Sequence, residues 1–233
     1  IDDHFNYHTA QDDSKHLNKK TLEHQGTYLM PLLHYFANAN FEKTHATEDY
    51  VYFTIPFTFI SYPFSWILPM VLVALGLFVL FVFVGVGKRI LSFKEIGKGF
   101  IPFLGATITS GLLAYFGWKL LLNYYPQYND LLNGFTYNGH SYIAGFVTLT
   151  LAICFVFYHF FSEKKTSMNH FVAPLFVWLL INCGLAFGLQ GAGFLIIPVF
   201  FGLIAFGFFI LTQKSNGVLN LICSIPALLI IAP

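Results

Sequence analysis

The sequence predicts a mostly α-helical protein: a polytopic transmembrane bundle of about six spans behind a short polar head outside the bilayer. Two observations predict it. The 233 residues are 56% hydrophobic and only 10% charged, whereas a soluble domain averages roughly 45–50% apolar and about 25% charged residues. The charge is also divided along the chain. Residues 1–50 carry 8 acidic and 4 basic side chains and six of the nine histidines, while residues 51–233 carry 3 acidic and 8 basic ones. An acidic, histidine-rich head thus precedes an apolar body whose main solvent is lipid.

The head opens with Phe5-Asn6-Tyr7-His8 and a polar loop. A helix is expected from Lys19 to Asn38, because Leu22, Gly26, Leu29, Leu33, Phe36 and Ala37 recur at three- and four-residue spacing. Asn18 suits its N-cap, and Pro31 should kink it. A single amphipathic helix cannot bury its own apolar face, so this one needs a partner. Residues 46–63 read as a linker or interfacial segment.

The body is divided by length. Crossing a hydrocarbon core of about 30 Å takes about 20 apolar helical residues. Spans are expected at about 64–86, 100–123, 142–161, 171–189, 194–212 and 218–233. Strands are excluded within the bilayer, where an open sheet edge leaves backbone groups unpaired. Pro69, Pro102, Pro174, Pro198 and Pro226 are placed mostly in first turns, where a missing N–H costs little.

The loops set an orientation. Lys88, Arg89, Lys94, Lys98, Lys164, Lys165 and Lys214 lie in loops of one side, whereas 124–141 and 190–193 on the other contain no Lys or Arg. By the positive-inside rule the head lies outside, periplasmic or lumenal. Trp66, Trp118, Tyr124, Tyr125, Tyr128, Tyr137 and Tyr142 collect at the outer ends of spans as an aromatic belt, and Lys119 can snorkel to the headgroups.

Within the spans the polar inventory is small. Asn182 is the deepest strongly polar group, and an interhelical hydrogen bond accounts for it. Thr107 and its neighbouring hydroxyls can bond back to helix carbonyls, His159 lies near a span end, and Gly184 with Gly188 form a small-xxx-small pair for close helix contact. No span has Asp, Glu or Arg near its middle, which argues against an ion-coupled transporter. Cys154, Cys183 and Cys223 sit in apolar runs and read as packing residues, with neither disulfide nor zinc spacing.

The run most suggestive of chemistry is His8-Thr9-Ala10-Gln11-Asp12-Asp13. A neutral imidazole is a common zinc ligand, and a nearby carboxylate can orient it. An exposed loop histidine is the plainer reading of these residues alone. The run Phe5 to Asp13, followed by Leu22-Glu23-His24-Gln25-Gly26, resembles the C-terminal end of a family M28 zinc peptidase. There an aromatic-His-Thr-x-x-Asp motif follows the last core strand, and a closing helix packs back on an α/β sheet. Segments such as Tyr62-Pro63-Phe64-Ser65-Trp66 resemble, less specifically, the membrane region of multi-pass members.

The resemblance implies that residues 1–45 are the tail of an α/β zinc-peptidase domain, with His8 as a metal ligand, Asp12 structural or orienting, and Tyr7 packed beneath the site. It implies two zinc ions in the intact enzyme, which activate a bridging water and polarise the scissile carbonyl while a Glu shuttles the proton. The other ligands and that Glu are expected upstream of Ile1. The chain opens on Ile1 in polar sequence and closes on Pro233 in an apolar run, so it reads as a piece of a longer protein, inactive by itself. The expected function is membrane-anchored exopeptidase activity on the non-cytoplasmic side. The expected partners are a peptide or protein substrate and the lipid bilayer, and no nucleic acid. The lack of any Asn-x-Ser/Thr sequon leans towards a bacterial inner membrane. The alternative is a non-enzymatic polytopic protein, a transporter or structural subunit, in which His8 is a surface residue.

Overall fold

The computed structural model describes residues 6, 10–43, 45–55, 57–131, 134–161 and 167–231. Among them the fold is mostly helical with one two-stranded sheet. The chain forms two compact units, one of residues 1–47 with 118–144 and the other of 48–117 with 145–233.

In the first unit the helix α1 runs Lys19–Asn38, the bounds expected from its periodicity. Asn18 caps it: its Oδ1 accepts from the backbone N–H groups of Lys20 at 3.0 Å and Thr21 at 3.2 Å, two donors that a helix start otherwise leaves orphaned. The helix buries none of its residues, and its apolar stripe of Leu22, Leu29, Leu33 and Phe36 is exposed. Elsewhere in this unit, the Trp118 and Tyr128 rings both pack edge-on against Tyr142.

The second unit opens with a hairpin in the segment expected to be a linker or interfacial. Strand β1 (Tyr50–Ile55) pairs antiparallel with β2 (Thr58–Pro63), setting Val51 opposite Tyr62 and Ile55 opposite Thr58. Side chains alternate between faces. Val51, Phe53, Ile60 and Tyr62 turn inward, while Tyr50, Tyr52, Phe59 and Ser61 are exposed. A lone hairpin is marginal in water, and this one leans on the turn Gln190–Leu195. Gly193 permits that approach, since a Cβ there would lie 3.0 Å from Ile67 and 3.1 Å from Val51. The Phe53 and Phe194 rings meet at 6.0 Å.

Among the described residues, five helical stretches are long and apolar enough to cross a membrane: Phe64–Gly87, Phe93–Tyr124, Gly139–Phe161, Met168–Gly188 and Gln190–Thr212. They contain α2 (Ile67–Gly87), α3 (Phe93–Tyr124), α4 (Gly139–Phe161), α5 (Ser167–Gly188) and α6 (Ile196–Thr212). Gly139 is the one buried residue of α4. A further apolar helix follows them. Helix α7 (Gly217–Ile231) starts within a residue of where the sixth span is expected and is apolar through Leu229.

The core of this unit is where α2, α5 and α6 meet. Val71, Ala74 and Phe78 pack with Leu175, Leu179, Val199, Leu203, Phe206 and Ile210. Between apolar helices in lipid, contact comes from close fit rather than from exclusion of water. Gly207 makes room for the Phe81 ring and Gly202 for Leu175, each where a Cβ would lie within 2.7 Å. Among the described residues the expected Gly184–Gly188 contact is not formed: neither glycine has a described neighbour within 4 Å of where a Cβ would stand. Three of the five prolines also differ from expectation. Pro102, Pro174 and Pro226 lie inside their helices rather than in first turns, a placement tolerated in membrane helices because neighbouring helices and local adjustments re-satisfy the freed carbonyls.

Candidate functional site

His8 and Tyr7 lie outside the described residues. Asp12, the acidic position of the motif, stands exposed on the loop before α1. Its neighbour Asp13 organises that loop. The Asp13 Oδ1 accepts from the backbone N–H of Lys15 at 2.9 Å and of His16 at 3.0 Å, and lies 2.8 Å from His16 Nδ1. The hydrogen bond from the His16 ring, then that from its backbone, holds the Asp13 carboxyl below the usual carboxylate range. The loop therefore has a fixed turn five residues after His8, ending at the Asn18 cap. His24 is used within α1, where its Nε2 lies 3.2 Å from the Tyr28 hydroxyl and the two rings pack edge to face.

A catalytic zinc takes about three protein ligands and an open position. Among the described residues no three His, Cys, Asp or Glu side chains converge. The donors described here do not by themselves fit a zinc centre, and His8 adds one ligand at most.

Other polar groups are placed between helices. Asn169 and His170, at the start of α5, are each only 3% exposed. Asn169 Oδ1 accepts from the backbone N–H of Ser92 at 2.8 Å, so α5 fixes the residue on which α3 begins. Gly99 makes the crossing possible, since a Cβ there would lie 2.7 Å from His170 Cα. Ser92-x-x-Glu95 has the spacing of a capping box. The acid does not reach back to Ser92, however; Glu95 pairs with Lys98 at 2.9 Å. At the end of α2, Lys88 Nζ donates to the carbonyls of Ile210 at 3.2 Å and Leu211 at 3.4 Å. A cation there meets the negative end of the α6 dipole.

Asn182 meets the expectation of an interhelical bond. It is buried, and its Nδ2 donates to Trp178 O at 2.9 Å on its own helix and to Leu195 O at 3.4 Å beyond it. Thr107 back-bonds to Phe103 O at 2.8 Å, as expected for a hydroxyl in a span. Between α5, α6 and α7 lies a cavity of about 500 Å³ lined by Trp178, Gly202, Phe206, Asn220 and Cys223 among others. Its lining is largely apolar, and no sequence motif announces it.

No protein-family model matches this chain, and no curated protein or solved structure matches it significantly.

Proposed function

We propose that the chain is the C-terminal part of a membrane-anchored zinc exopeptidase of the M28 type, with His8 as its last metal ligand and Asp12 orienting it. The observation that carries this reading is the order of features along the head. An aromatic-His-Thr-x-x-Asp run (Tyr7 to Asp12) is followed by a turned loop and then by a capped amphipathic helix whose apolar stripe is wholly exposed. A closing helix laid on an α/β sheet would cover that stripe and bring the His8 segment to the edge of the same sheet. The remaining ligands and the general base belong to that sheet, so the residues described here carry no catalytic step of their own. The basic loops support a periplasmic or lumenal head, and a bacterial inner membrane is favoured.

The test is the protein made from its complete reading frame in its membrane. Bound zinc and release of N-terminal residues from peptides are expected, with both reduced at least tenfold in His8→Ala. Zinc retained unchanged by His8→Ala would remove His8 from the site, and a zinc-free wild type would end the peptidase reading. In that event the cavity among α5, α6 and α7 favours the second reading, a non-enzymatic polytopic protein that holds an apolar molecule beside Asn220.

A further inference from the structure

The tip of the hairpin is built against local preference. Phe57 stands at φ 75°, the left-handed region that glycine occupies freely and an aromatic residue does not. Its side chain meets nothing in return, being 106% exposed. Folding alone would place Gly or Asn at such a position. A strained residue that does not serve packing points to another use.

Its surroundings indicate which use. Residues 50–63 contain no charged side chain. The outer face of the hairpin continues the apolar surface, with Tyr52 and Phe59 exposed and stacked at 6.1 Å. The opposite face is held by Val51, Phe53 and Gly193, so the outer face is fixed in direction. One short turn, Phe64–Trp66, separates β2 from α2, and Trp66 is itself exposed. The hairpin is thus tied by the chain to the place where α2 enters the bilayer, and strands of six residues reach no more than about 20 Å from it. Exposed Tyr, Trp and Phe without charge are the composition of a membrane–water interface.

We propose that the hairpin is a lipid anchor. Phe57 inserts at the boundary of headgroups and acyl chains in the leaflet where α2 begins, and Tyr52 and Phe59 lie against the headgroups. The occupant is phospholipid of the bilayer that the spans cross. The anchor does not depend on the peptidase reading, because nothing in it involves the head.

Photocrosslinking tests it with one conservative change, Phe57→p-benzoylphenylalanine, in the full chain reconstituted in vesicles of phosphatidylcholine and phosphatidylglycerol. The same change at Leu72, exposed on α2, calibrates the yield for a lipid-facing position. Irradiation is expected to shift the mass of the position-57 protein by one phospholipid, at a yield comparable to position 72. A polypeptide adduct, or no adduct where position 72 gives one, overturns the anchor. Phe57→Gly separates display from folding: an unchanged or higher melting temperature in detergent is expected. A lower one shows that the ring serves the fold and counts against the anchor.

Discussion

Tyr62 shows what one buried polar atom does to the hairpin. It is 8% exposed, packed opposite Val51, and its hydroxyl has no hydrogen-bond partner among the described residues. Burial disfavours the phenolate and pushes the pKa up to about 12. A group with a raised folded pKa contributes fully below its unfolded value, near 10, and that contribution is lost as pH rises towards 12. The packed hairpin should therefore weaken above about pH 10. Tyr62→Phe is expected to remove that part of the alkaline loss and to gain up to about 1–2 kcal/mol at neutral pH by deleting an unpaired buried hydroxyl. Melting temperature against pH for both proteins checks it. Other single residues differ in how legible they are. Asn18 is readable because a cap depends on its nearest neighbours alone. Gly184 and Gly188 mislead because small-residue spacing says where helices can approach, not which face has a partner.

At the scale of the element, the start of α3 is decided from outside it. The expected span begins near residue 100, where charges cease, whereas the helix begins at Phe93. Hydropathy finds the apolar part of a helix and overlooks turns that continue past it, here with Lys94, Glu95 and Lys98. What sets the start is Asn169, 77 residues away, accepting from Ser92. Asn169→Ala is expected to cost about 1 kcal/mol by removing the acceptor that caps the Ser92 N–H, while Asn169→Asp, which keeps an acceptor, should lose less. Thermal unfolding in detergent distinguishes them. The hairpin was legible in principle, since Val51, Phe53 and Ile55 alternate up to a two-residue connection, followed by Ile60 and Tyr62. A search for apolar runs of helical length does not detect a period of two.

For the molecule as a whole, a polar head and a body of membrane-length helices were readable from composition, because lipid imposes length and polarity on every span. The pairing of helices was not, since almost every side chain in the body is apolar and little distinguishes a lipid-facing surface from a packed one. Close-approach glycines carry that information only once the partner is known. Gly99→Ala places a methyl group 2.7 Å from His170 Cα, against backbone that cannot turn aside. Overpacking of that kind costs about 1–3 kcal/mol. Gly184→Ala meets open space and should be neutral or stabilising by up to about 1 kcal/mol. Thermal unfolding in detergent would rank the two variants against wild type.

The Lys88 contact has one more consequence. Because its two acceptors are main-chain carbonyls, every amino acid at 210 or 211 offers the same oxygen. The clamp thus restricts one side of the interface and leaves the other free. Random mutagenesis with selection for the folded protein should reject changes at Lys88 and yield no compensating replacement at either acceptor position.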